Sequence, residues 1–60
     1  MRIYTITIND GQERVEETPA WNHRISPTAV ELLDDQYKVV KHYELSELVH
    51  FDYAERLSGR

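Results

Sequence analysis

The stretch Tyr37–Tyr53, YKVVKHYELSELVHFDY, decides how this chain folds. It holds three of the four tyrosines, the only phenylalanine and two of the three histidines. Tyr37, Val39 and Tyr43 fall on one parity, and Lys38, Val40 and His42 on the other. That period of two predicts a strand over residues 36–44. Val49, Phe51 and Tyr53 then alternate with His50 and Asp52, which predicts another strand. A helix over residues 46–57 competes with it, capped by Ser46 and ended near Gly59. On that helix Leu48, Val49, Phe51 and Tyr53 would cover more than half the circumference, a poor inward stripe. The strand is therefore preferred, although Leu45-Ser46-Glu47 lacks the usual turn residues. A hairpin centred on Ser46 sets Tyr43 opposite Val49, Val39 opposite Tyr53 and His42 opposite His50.

Working outward, the N-terminal segment is the clearest strand. Tyr4, Ile6 and Ile8 alternate with Thr5 and Thr7 over Arg2–Asn9, a β-branched and aromatic composition. Asn9-Asp10-Gly11 predicts a tight hairpin, because glycine tolerates positive φ. The return strand over residues 12–18 is mostly polar and reads as a charged edge, with Pro19 ending it. Residues 18–26 show no period. Ser26-Pro27 reads as an N-cap and first helical residue. Ala29, Val30, Leu32 and Leu33 then supply the inward stripe of a short helix over residues 27–35. Asp34 and Asp35 oppose the helix dipole and end it. The expected fold is α+β in the order ββαββ, a small antiparallel sheet with one short helix; the runner-up is ββαβα.

Sixty residues make one small domain. A chain this short buries only about 60% of its unfolded surface, so oligomerisation is the readiest source of extra stability. There is no cysteine, which removes disulfides and thiolate metal sites. Eleven acids against seven bases give a net charge of -4. That balance disfavours nucleic acid and anionic membranes as direct partners and favours a basic one. The N-terminus has no signal-peptide pattern and no run is long enough to span a bilayer, so a cytoplasmic location is expected. Beginning on Met and filling one compact unit, the chain reads as a complete small protein or as an excised piece that looks like one.

Few catalytic motifs are open to this sequence. With only Gly11 and Gly59 there is no phosphate-binding glycine loop. Neither a nucleophile elbow nor a histidine pair on a helix occurs. No enzymatic activity and no cofactor are expected. Across the Ser46-centred hairpin, His42, His50 and Asp52 converge and form a weak candidate metal or pH-sensing cluster; read plainly, they are the wet side of a half-exposed strand, and no metal is assigned. Trp21 reads first as a core plug under the sheet and second as a binding anchor beside Arg24, with His23 and Arg24 solvated. Tyr37, Tyr43, Phe51 and Tyr53 read as core, and also as a surface for a partner or for a homodimer. The acids Glu13, Glu16, Glu17, Glu31, Asp34 and Asp35 suggest a face for a protein partner with a basic surface. The expected function is a small acidic binding or regulatory protein acting stoichiometrically, with an inhibitor of a basic nucleic-acid-handling surface as its most specific form. The alternative is an assembly subunit that self-associates through its Tyr/Phe face.

Overall fold

The computed structural model describes residues 1–55. They form six strands and no helix: β1 (Arg2–Asn9), β2 (Glu13–Ala20), β3 (Asn22–Ile25), β4 (Ala29–Leu33), β5 (Val39–Glu44) and β6 (Leu48–Glu55). Two three-stranded antiparallel sheets result, β2-β1-β6 and β3-β4-β5. The α+β expectation is thereby overturned, and so is the ββαβα runner-up over the described residues. Leu57 and Gly59, the last turn and cap of that alternative helix, lie outside them.

β1 forms as its alternation predicts. Tyr4, Ile6 and Ile8 are buried, and their parity defines the inward face of the first sheet. Asn9 pairs with Glu13 across the hairpin. The loop between them turns at Gly11, whose φ of 110° suits glycine, while Asn9 Oδ1 accepts the Gly11 N–H at 3.1 Å. β2 runs past the expected stop, with Pro19 inside it opposite Ile3. Proline is tolerated there because β2 is an edge strand.

The segment expected as a helix is the central strand of the second sheet. Ser26 does behave as an N-cap would: its Oγ accepts the N–H groups of Thr28 and Ala29 at 3.4 and 3.1 Å. Yet Ser26 N–H donates to the Ala29 carbonyl at 2.9 Å, which closes a β-turn and sends the chain back along β3. Ala29, Val30, Leu32 and Leu33 are all buried. An apolar run covered on both faces carries no period to separate strand from helix.

β5 and β6 are both strands, but they do not pair with each other. β5 lies beside β4, with Tyr43 opposite Val30. β6 lies beside β1, with Phe51 opposite Ile6 and Tyr53 opposite Tyr4. Each becomes the flank of a central strand and sets an aromatic ring beside a buried neighbour, the kind of cross-strand pair that stabilises a sheet. Leu45–Glu47 therefore carries the chain from one sheet to the other. Backbone bonds hold this corner in place of glycine or proline: Glu47 N–H to the Glu44 carbonyl at 3.0 Å, Asn9 N–H to the Glu47 carbonyl at 2.7 Å and Leu45 N–H to the Thr28 carbonyl at 2.9 Å. Trp21 makes the other crossing, between β2 and β3, and donates its N–H to the Leu33 carbonyl at 2.9 Å. Strands that switch sheets at corners are how two small sheets close over one core.

The core joins Tyr4, Ile6, Ile8 and Ala20 of the first sheet to Leu32 and Tyr43 of the second, with Leu48 and Phe51 packed against them. Leu32 has no exposed surface, whereas Ile25, on the neighbouring edge strand β3, is 61% exposed. Leu32→Ala should cost about 3 kcal/mol and Ile25→Ala about 0.5 kcal/mol or less, read from urea unfolding. Equal costs would contradict the central position of β4.

Candidate functional site

The two sheets are tied by polar links as well as apolar ones. On the β1–β3–β6 side, Arg2 Nη1 donates to the Tyr4 hydroxyl oxygen at 3.0 Å, and that hydroxyl lies 3.0 Å from His23 Nδ1. The Tyr4 hydroxyl, its oxygen accepting from Arg2, is placed to give its own proton to Nδ1 of a neutral His23. Arg2 also donates to Asn22 Oδ1 at 3.0 Å and to Glu55 at 2.8 Å, and its guanidinium stands 4.5 Å from the centre of the Tyr53 ring. The His23 ring packs edge-on to Tyr4 and Phe51, at 5.7 and 5.1 Å between centroids. His23 is thus half-buried among aromatics rather than solvated. Desolvation first, and the Arg2 charge second, hold its pKa below the ordinary histidine value.

On the β2–β5 side, the buried Tyr43 donates its hydroxyl to Glu16 Oε1 at 3.0 Å. Arg14 Nε reaches the other Glu16 oxygen at 3.3 Å, and Lys41 Nζ lies 3.9 Å away. These partners, led by the Tyr43 hydrogen bond, hold the Glu16 carboxyl below its usual range. Burial pushes the Tyr43 phenol up.

His42 sits on the outward parity of the second sheet, opposite Glu31. Its Nε2 lies 2.7 Å from Glu44 and its Nδ1 2.9 Å from Glu31. Two carboxylates on two ring nitrogens favour the imidazolium, and its pKa is raised, first by Glu44 and then by Glu31. Glu31 in turn accepts from Arg24, with Nε at 3.2 Å, and its carboxyl is lowered, chiefly by that bond.

The residues singled out in the sequence are scattered by this topology. His42 belongs to the second sheet, while His50 and Asp52 lie on the outward face of the first, opposite Thr7 and Thr5. The expected convergence of His42, His50 and Asp52 does not exist, because the hairpin that would create it does not form. Among the described residues no three such groups come together as a metal site. The six acids divide as well. Glu16 and Glu31 are engaged as described. Asp34 Oδ1 accepts the N–H groups of Gln36 and Lys38 at 2.8 and 2.9 Å, which hold its carboxyl low. Glu13 and Glu17 project outward from β2. The aromatics separate too: Tyr43 and Phe51 belong to the core, Tyr53 rims it, and Trp21 and Tyr37 are 49% and 72% exposed. Trp21 is not a buried plug.

Sequence reasoning missed the cluster around His23, because residues 22–25 show no alternation; the Ser26-Pro27 dipeptide, read as a hairpin turn, was the signal that would have placed β3 beside β4. It also missed a cleft of about 220 Å3 lined by Trp21, Asn22, Asp34, Asp35 and Tyr37. Tyr37 has a φ of 63°, a left-handed conformation costing a side-chain-bearing residue about 1 kcal/mol. A second, largely apolar cleft of about 390 Å3 shares Trp21 and Asp34 with the first and is otherwise lined by Met1, Thr18, Pro19, Ala20, Val40 and Lys41. No helix of the described residues is long and apolar enough to cross a membrane. No family model, curated protein or solved structure matches the chain.

The two histidines should act oppositely on stability. The raised pKa of His42 gives a contribution fully present below the unfolded value of about 6.5 and lost as pH rises through the folded value. The lowered pKa of His23 gives one present above about 6.5 and lost as pH falls through the folded value. Between pH 8 and pH 5, the stability lost in His42→Gln should therefore grow and that lost in His23→Gln should shrink, measured by denaturant unfolding at each pH. Parallel trends would contradict the burial of His23 and the ion pairs of His42. Tyr37→Gly should stabilise the fold by about 1 kcal/mol, seen as a higher urea midpoint.

Proposed function

We propose that this chain is a small stoichiometric binding protein whose docking surface is the outward face of the first sheet and whose partner is a protein with a basic surface. Inhibition of a nucleic-acid-handling protein is the most specific form of this reading. The supporting observation is where the cations are. Strand parity places Glu13, Val15, Glu17 and Pro19 of β2, Ile3, Thr5 and Thr7 of β1, and His50, Asp52 and Ala54 of β6 on that face. None of the described Lys or Arg side chains shares it. Arg2 lies on the inward parity, Arg14 is tied to Asp10 and Glu16, and Arg24, Lys38 and Lys41 belong to the second sheet and its loops. Glu17 and Asp52 flank Thr5 in one cross-strand row, so this face carries carboxylates with no Lys or Arg counter-charge among the described residues.

Of the acids first considered, Glu16, Glu31 and Asp34 have structural partners, so substituting them confounds binding with folding. The clean test neutralises the outward set instead. Titrating a lysine-rich peptide against the isotope-labelled protein should move the amide signals of Thr5, Thr7, Glu17 and Asp52. The combined Glu13→Gln, Glu17→Gln, Asp52→Asn variant should lose most of that binding. Raising ionic strength from about 0.1 M to about 1 M, where the Debye length falls from about 10 to about 3 Å, should lose it too. Shifts that survive neutralisation would sink the reading.

A second reading, an assembly subunit, is favoured by the apolar cleft beside Trp21. It requires a mass by light scattering above that of one chain, unchanged by salt and restored to one chain by Trp21→Ser.

A further inference from the structure

We propose that the cleft between Trp21 and Tyr37 is a receptor for one arginine side chain of a partner protein. This site is separate from the outward sheet face and does not depend on it.

The cleft is lined by Trp21, Asn22, Asp34, Asp35 and Tyr37, and its volume is about 220 Å3. That is below the range of pockets for drug-sized ligands, roughly 300–1,000 Å3, and suits a single long side chain. Its lining combines two kinds of group that a guanidinium uses together. The only tryptophan of the chain and a tyrosine offer ring faces for stacking and cation–π attraction. Two carboxylates offer acceptors for the planar fork. Asp34 holds its two backbone donors through Oδ1, and no hydrogen bond reaches Oδ2 among the described residues. Asp35 makes no ion pair among them. Lys38, whose charge acts on Asp34, makes no ion pair within 4 Å among the described residues, so Asp34 Oδ2 and the Asp35 carboxylate stay open to a further donor.

The arrangement is also built by distant parts of the sequence. Trp21 stands at the crossing between β2 and β3 and Asn22 opens β3, while the β4–β5 turn carries Asp34, Asp35 and Tyr37. That turn is pinned by the Asp34 N–H to the Lys38 carbonyl at 2.9 Å and by the Tyr37 N–H to the Asp34 carbonyl at 3.0 Å. Fixed in this way, the turn presents Tyr37 outward at a position glycine would occupy with less strain. Arginine fits this lining better than lysine. An ammonium lacks the planar face and the paired donors, while a guanidinium is the more weakly hydrated cation and stacks on rings.

Trp21 makes the test direct, because its fluorescence is the only indole signal. Three capped tripeptides, Gly-Arg-Gly, Gly-Lys-Gly and Gly-citrulline-Gly, are titrated into the full chain. The arginine probe should give a saturating shift, the lysine probe a weaker affinity, and the isosteric but uncharged citrulline probe none. Asp35→Asn should weaken the arginine affinity about tenfold, as loss of a charged hydrogen-bond acceptor does. Tyr37→Gly should lose the response while unfolding at an equal or higher urea concentration than the parent, which separates loss of the site from loss of the fold. The proposal is overturned by no response to arginine, by equal affinity for lysine or citrulline, or by parental affinity in both variants. None of these results bears on the outward face of the first sheet, whose test uses a different surface and different residues.

Discussion

Tyr4 and Ile6 of β1 and Leu32 of β4 belong to one cluster and expose no surface. The other elements are arranged so that this contact stays dry. Two three-stranded sheets have only two central strands between them, and each must be flanked on both sides before its inward residues lose all contact with water. The described residues include no helix to serve as a cover, and one flank is recruited from long range. β6 returns to β1 from the far end of the sequence, and β5 stays with β4. The cost is loop-closure entropy for the β1–β6 pairing, which grows only slowly with the length of chain enclosed. The gain is an aromatic ring set beside each central strand.

A thin core also explains why tyrosine carries so much of it. Tyr4 and Tyr43 bury large rings and still have hydroxyls to satisfy. Both hydroxyls bond across to the opposite sheet, at His23 and Glu16. No buried side-chain polar atom among the described residues lacks a partner. The two links are not equivalent in sign. At the Tyr4–His23 link, burial and the Arg2 charge favour the neutral imidazole, so acid works against that site. The Tyr43–Glu16 bond is made by a carboxylate and weakens only in much stronger acid. His42, between two carboxylates, gains where His23 loses. The proton dependences of the Tyr4–His23 link between the sheets and of His42 within the second sheet therefore oppose one another around neutral pH, and the carboxylates set the acid limit.

What could be read in the sequence follows from range. β1 and its hairpin were legible because eight residues of alternation and one Asp-Gly are local signals. β6 was legible as a strand for the same reason. The partner of β6 was not, because pairing at a distance leaves no trace in local period. AVELL misled because a central strand buried on both faces loses the alternation that marks a strand. Ser26 was read correctly as a donor-satisfying residue and wrongly as a helix start, since the same Oγ bonds serve a cap and a turn. The metal cluster failed with the hairpin that generated it. The acidic residues were visible, but only the topology separates Glu13 and Glu17, which face out, from Glu16, which bonds Tyr43.

The surface around Trp21 is where local preference and fold agree least. A core short of large apolar groups leaves its only indole half exposed, and the β4–β5 turn puts a tyrosine where the backbone favours glycine. Packing accounts for neither choice. Asp34 must fold the turn with one oxygen, which fixes its carboxylate at the mouth of the cleft whatever else binds there. Strain of this kind persists when neighbouring hydrogen bonds over-determine it, and here the four bonds involving Asp34 do so. The same four bonds that fold the turn leave Asp34 Oδ2 without a hydrogen bond among the described residues, so the cleft between Trp21 and Tyr37 joins exposed aromatics to a carboxylate that folding uses through one oxygen alone.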